Sequence, residues 1–145
     1  AYAPGGGDPS NFSLDDCQTQ RNLNQQGIEQ SILLGKIFQD NKISFDKVYS
    51  SQWCRCIDTA QYAFGEYQEL NLLNSTFSHN YKKNHLRQMK ELKKLIFNLK
   101  EDHGNIIFIT HYVIIGGILD YYPNSGEIVI ADKSLKVLGS IKTSY

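Results

Sequence analysis

One arginine and one histidine carry the clearest chemistry in this sequence. Arg55 lies within Y-S-S-Q-W-C-R-C-I-D-T-A (49–60), behind Ser50 and Ser51 and ahead of a Thr59-Ala60 helix continuation. A guanidinium presents a planar fork that pairs with two oxygens of a phosphate, which the point charge of a lysine does not. His111 closes N-I-I-F-I-T-H (105–111), at the carboxyl end of an apolar, β-branched run. Ligands of open α/β sheets bind beyond the carboxyl ends of the strands. A helix following His111 would also turn its first N–H groups toward a bound anion. Together the two residues suit a site that grips a phosphoryl group. The plainer alternatives are a structural histidine at a strand end and a salt bridge from Arg55 to Asp58 or another acid.

Other residues are weaker candidates. Arg21, in T-Q-R-N-L-N (19–24), would add a second cation. Asp8, Asp15 and Asp16 lie in the leading loop, where a carboxyl could act as a general acid, although most loop aspartates make turns. His79, His85 and His103 stand alone in polar settings and read as surface residues. No G-x-S-x-G elbow is present for a serine nucleophile. Neither a Walker loop nor G-x-G-x-x-G lies between a strand and a helix, so Gly5-Gly6-Gly7 does not suggest a nucleotide cradle. Of the three cysteines, Cys54 and Cys56 form C-x-C with Cys17 far upstream, which is not a four-ligand zinc spacing. An oxidising compartment would allow one bridge from Cys17 to Cys54 or to Cys56; otherwise all three are buried thiols. No metal and no cofactor is expected.

The elements that must position these residues follow from periodicity. Residues 1–20 are rich in Gly, Pro, Asp, Ser and Asn without an apolar period, so they form a long loop. Asn24 is a plausible N-cap for a helix whose apolar positions are Ile28, Ile32, Leu34 and Phe38. Ile43 to Tyr49 alternates and predicts a short strand. A helix follows from about Trp53 to Tyr67, capped from Ser50-Ser51-Gln52, and 70–77 is extended or irregular. Lys83 to Lys100 predicts an amphipathic helix with Leu86, Met89, Leu92, Ile96 and Leu99 on one face, its lysines and Arg87 forming the solvated side. His103-Gly104 is its expected stop. Ile106 to Ile109 predicts a central strand buried on both faces, and Val113 to Leu119 a short helix. Glu127 to Ala131 and Leu135 to Leu138 predict two strands joined through Asp132-Lys133-Ser134. This alternation predicts an α/β fold, a three-layer α/β/α sandwich with a mostly parallel central sheet.

Bulk properties exclude several classes. The 145 residues suit one domain spanning 1–145, with 41% hydrophobic and 21% charged residues, as in ordinary globular chains. Fifteen basic and fifteen acidic residues cancel, so no overall field recruits nucleic acid or an anionic membrane. The longest apolar run, 113–119, is far too short to span a bilayer. The chain opens on A-Y-A-P-G-G-G with neither an initiator Met nor a signal-like stretch, so the natural start is expected upstream.

The segments T-Q-R-N-L-N-Q-Q-G (19–27), V-Y-S-S-Q-W-C-R-C-I-D-T-A (48–60), I-I-F-I-T-H-Y (106–112) and S-G-E-I-V-I (125–130) resemble, in order, the histidine phosphatase superfamily with its phosphoglycerate-mutase-like fold. A bacterial subgroup combining A-P-G-x-G-D-P, D-D-C, T-Q-R-N-L and W-C-R-C is the more specific resemblance. It implies a phosphoryl pocket of two histidines and two arginines, Arg55 matching the second arginine and His111 the second histidine. Ala1 resembles the last residue of an R-H-A motif, which implies that the first strand, the first arginine and the nucleophilic histidine precede residue 1. A chain truly starting at Ala1 could not form the phosphohistidine. Many relatives place a glutamate where this chain has Leu73-Asn74-Ser75, so Asp8 is the expected substitute acid and Glu127 the second choice. Arg21, Tyr112 and Glu127 are the expected substrate-binding residues. The resemblance implies a phosphomonoesterase acting on a small phosphorylated substrate. A phosphohistidine-protein phosphatase and a phosphoglycerate-type mutase are the enzymatic alternatives, and a non-catalytic phosphate or phosphosugar binder is the alternative of another class. Export signals common in this subgroup imply a periplasmic setting, with the cytoplasm as the alternative, and favour a Cys17 bridge.

Overall fold

The structure, a computed structural model, describes residues 1–100 and 104–143. The expected loop over 1–20 is irregular apart from a single 3-10 turn at Cys17–Thr19. Helix α1 spans Gln25–Asp40, and its Asn24 cap accepts a hydrogen bond from the Gly27 N–H, as the sequence predicts. Its buried face is Gly27, Gln30, Ser31 and Leu34, whereas Ile32 is 52% exposed. The reason is how closely other backbone approaches. A Cβ on Gly27 would lie 2.0 Å from the Tyr2 carbonyl oxygen, and one on Gly35 would lie 2.0 Å from that of Ala63. Glycine therefore lets α1 touch the N-terminal segment and the next helix directly, so small and polar residues, not the isoleucines, line the contact.

Strand β1 (Phe45–Ser50) leads into α2 (Cys54–Phe64), which Gly65 ends in the left-handed conformation at φ 72°. The expected serine cap is not made to the first turn of α2. Trp53 is the capping residue without a side-chain bond, and Ser51 Oγ instead accepts the Trp53 N–H at 3.3 Å. After β2 (Gln68–Glu69) and a 3-10 turn at Asn71–Leu73, a short helix α3 (His79–Lys82) precedes the expected helix, which spans His85–Phe97 as α4. Leu86 is 84% exposed. Gln88 occupies the inward position, donating to the Leu72 and Asn74 carbonyls at 3.0 and 2.7 Å, which rolls Met89 and Leu92 into the core and Leu86 out. His103, expected to lie at the surface and at this helix's end, falls outside the described residues, as does the side chain of His79.

Strand β3 (Asn105–Ile109) pairs in parallel with β1, and the sheet order is β2-β1-β3. The central strand is thus β1. Contrary to expectation, β3 has no second partner strand among the described residues, and Ile106 to Ile109 are half-buried. Tyr49 and Phe108 stack across the β1–β3 pair at 5.6 Å, over a core of Leu73, Met89, Leu92 and Ile114. Helix α5 spans Tyr112–Leu119. Strands β4 (Ile128–Ala131) and β5 (Val137–Ile141) form a separate antiparallel pair. Strand β5 starts later than predicted because Asp132 accepts the N–H groups of Ser134 and Lys136, and Leu135 takes φ 67° to close that turn. The hairpin is tied to α1 by Gln30, whose Nε2 donates to the Ser125 carbonyl and to Thr143 Oγ1 while its Oε1 accepts the Tyr2 N–H. The fold is α/β, with a parallel sheet between helices.

Candidate functional site

Parallel pairing sends the carboxyl ends of β1 and β3 to one edge, and there the Ser51 N–H donates to the Ile109 carbonyl at 2.9 Å. Arg55 follows on the first turn of α2, and His111 stands as the extended capping residue of α5. Both are buried, with His111 8% exposed. Arg55 Nη2 lies 3.4 Å from His111 Nδ1, so the two residues singled out in the sequence meet.

The third member comes from the leading loop. Asp8 accepts from Arg55 Nη1 at 2.8 Å, from Trp53 Nε1 at 2.9 Å and from the Arg21 N–H at 3.1 Å. Burial alone would raise its pKa, but the hydrogen bonds from Arg55, Trp53 and the Arg21 backbone bring it below the ordinary 3.8. Asp8 is therefore a carboxylate at neutral pH, and Arg55 pairs with Asp8 and not with Asp58. Arg21 joins the same cluster, its Nη1 donating to the carbonyls of Ala3 and Gly5. Burial and then the charge of Arg55 lower its pKa, and its Nε is buried with no hydrogen-bond partner.

His111 is enclosed on every side. Its Nε2 lies 2.9 Å from Ser51 Oγ and 3.7 Å from Cys56 Sγ, and the Trp53 ring stands edge-on at 5.3 Å. Burial, then the charge of Arg55, push its pKa down to about 3 against the opposing pull of Asp8. The ring is neutral. The Ala1 nitrogen is also here, donating to Thr59 Oγ1 at 3.0 Å.

Two residues that sequence reasoning passed over hold this arrangement. Gln20 is buried, accepting the Cys54 N–H at 2.9 Å while donating to the Ser13 and Leu14 carbonyls. It fixes the leading loop to the start of α2. The disulfide Cys17–Cys54 makes the same link covalently and resolves the open pairing, leaving Cys56 as a buried free thiol. Ser51 is the other, fully buried beneath His111. Only its place beside Ser50 at a strand end hinted at it.

Other expected site residues lie elsewhere. Tyr112 is half exposed, its ring near Phe77 and Tyr122. Glu127 accepts from the Tyr121 hydroxyl and from the Asn124 N–H, bonds that lower its pKa to about 2, and its bonds are to these residues and not to Arg55 or His111. Asp16 caps the 3-10 turn through the Gln18 N–H. His85 is half-buried, its Nδ1 2.7 Å from Thr76 Oγ1. No metal-ligand cluster occurs among the described residues.

Residues 16–76 match the model of the histidine phosphatase superfamily (branch 1), a span that includes Arg21 and Arg55. Over those residues, fewer than half of the chain, it is similar to that superfamily. Two solved structures share its fold. The protein histidine phosphatase SixA complexed with tungstate is 18% identical with a TM-score of 0.62, covering 93% of this chain and 91% of its own. TTHB049 from Thermus thermophilus is 17% identical with a TM-score of 0.62, covering 85% of each chain. Among curated proteins no sequence matches significantly. In this chain, Arg55 and Arg21 bring two guanidinium groups beside a neutral imidazole, an arrangement able to bind an oxyanion and to neutralise charge developing on it.

Proposed function

We propose that this chain supplies the phosphate-gripping residues of a phosphomonoester hydrolase that works through a phosphohistidine. The observation that carries the reading is the Asp8 carboxylate seated on Arg55 at 2.8 Å beside His111. A carboxylate and a phosphoryl group make the same demand on a guanidinium fork, so Asp8 holds the place that phosphate would take. The unpartnered Nε of Arg21 supports the reading as a donor left for a ligand. So does the SixA relative's complex with tungstate, a tetrahedral oxyanion.

In this reading the nucleophilic imidazole comes from residues preceding Ala1, whose nitrogen lies beside Thr59. That imidazole attacks phosphorus in line, forming the N–P bond as the P–O bond to the leaving group breaks. Arg55, Arg21 and His111 face the equatorial oxygens. Because these groups are fixed in a largely dry pocket, they stabilise the transition state without reorganising. Water then cleaves the N–P bond and frees phosphate. Phosphate displacing Asp8 from Arg55 removes the bond that does most to hold its pKa down, and the freed carboxyl becomes the proton donor to the leaving oxygen.

A phosphohistidine-protein phosphatase is the second reading. It is favoured by the ionised state of Asp8, since a departing imidazole can take its proton through its other nitrogen and needs no carboxylic acid. The Cys17–Cys54 bridge supports an exported, periplasmic setting. The test is hydrolysis of p-nitrophenyl phosphate and of phosphohistidine by the protein expressed from a start upstream of Ala1. Arg55→Ala and His111→Ala should each lower turnover by about 100-fold or more. Unchanged turnover in either variant would sink the site assignment.

A further inference from the structure

The hydrogen-bond partners around His111 determine where its proton sits. Asn74 is the starting point, because its Oδ1 accepts the Gln52 backbone N–H at 2.9 Å while its Nδ2 donates to Gln52 Oε1 at 2.8 Å. A backbone N–H can only donate, so the orientation of this amide is unambiguous. Ser51 Oγ lies 3.2 Å from the same Asn74 Oδ1 and donates its one proton to it. The Ser51 oxygen therefore turns lone pairs toward the Trp53 N–H and toward His111 Nε2, 2.9 Å away. Cys56 repeats the pattern independently. Its thiol donates to the Thr110 carbonyl, leaving sulfur lone pairs toward the same Nε2 at 3.7 Å. Both neighbours of Nε2 are acceptors, so Nε2 carries the hydrogen. On the other side of the ring, Nδ1 faces Arg55 Nη2, which can only donate.

We propose that Ser51 is a positioning residue: the Asn74–Ser51 relay holds His111 as the Nε2–H tautomer and presents a bare Nδ1 to Arg55 and to any oxyanion bound there. Asn74 is thereby assigned a role in the site although it touches neither Arg55 nor His111. The catalytic value of this orientation rests on the phosphate-site reading above, whereas the tautomer itself does not.

The test is long-range proton–nitrogen correlation NMR of the free protein labelled at histidine, at pH 7. His111 should show one protonated Nε2 and one bare Nδ1. In Ser51→Ala that single state should give way to exchange between tautomers, and Ser51→Thr, which keeps the hydroxyl, should restore it. In the upstream-extended protein Ser51→Ala should lower kcat about tenfold or more with KM little changed, and Ser51→Thr should recover most of it. A wild-type ring protonated at Nδ1 overturns the proposal. So does a Ser51→Ala ring that keeps one sharp Nε2–H state. If Ser51→Ala fails to fold, the wild-type spectrum decides alone. A correct tautomer in a protein without phosphatase activity would refute the phosphatase reading and leave the relay standing.

Discussion

Replacing Asp8 by Asn would show whether Arg55 is an anion site kept filled by the protein's own carboxylate. The substitution preserves shape but leaves one acceptor oxygen where the Trp53 indole and the Arg21 N–H use two, and it removes the charge opposite a guanidinium that is 9% exposed. Breaking a buried ion pair from one side costs about 3–5 kcal/mol. The Asp8 side chain retains 17% exposure, which places the cost at the lower end, about 3 kcal/mol. For a chain of this size that is a fall in Tm of about 9 °C. The folded pKa of Asp8 is depressed, so its contribution is fully present above the ordinary value of 3.8 and lost as pH falls through the folded pKa. Wild type and variant should therefore differ at pH 7 and converge in strong acid. Inorganic phosphate should stabilise the variant more than the wild type, because it no longer competes with Asp8. At roughly 100 times its Kd it returns about 2.7 kcal/mol, nearly the whole loss. Thermal melts with and without phosphate measure both effects. A variant melting within about 1 °C of wild type, or equal stabilisation of both by phosphate, refutes the reasoning.

His111 carries a prediction of opposite form. Its folded pKa of about 3 lies below the ordinary 6.5, so between those values the unfolded chain takes up a proton that the native ring refuses. Stability should fall as pH drops below about 6.5, by about 1 kcal/mol per pH unit, and His111→Gln should flatten that slope between pH 5 and 7 in urea titrations. The Cys17–Cys54 bridge closes a separation of 37 residues, for which chain entropy gives about 4 kcal/mol. Cys17→Ser should lose stability of that order, and protein denatured without reductant should titrate one thiol. Three thiols there would exclude the bridge.

The elements were legible wherever a local signal coincides with the structural cause. Asn24 caps α1 through its own side chain, and the apolar run at 106–109 pairs as a strand. Helix faces were less legible. Leu86 and Ile32 fit the apolar period but point outward, because Gln88 and Gly35 make the inward contacts through distant carbonyls and close backbone approach. In the site, Arg55 and His111 announce themselves by type and position. Their partners do not, because Asp8 is one of several loop aspartates until Arg55 and Trp53 select it. Gln20 and Ser51 gain their meaning from partners 34 and 60 residues away. Such bonds leave no periodicity.

Gln30 has a consequence for motion. One carboxamide holds the Tyr2 N–H with its oxygen and Ser125 and Thr143 with its nitrogen, groups separated by most of the chain. The segment that starts at Tyr2 also carries the Ala3 carbonyl on which Arg21 rests. Peeling β4 and β5 away from α1 thus frees the Gln30 amide and loosens the support of a guanidinium in the pocket. The hairpin and the first residues should open as one cooperative unit in hydrogen exchange, so the order of the anion pocket is governed partly from an edge of the molecule that never touches it.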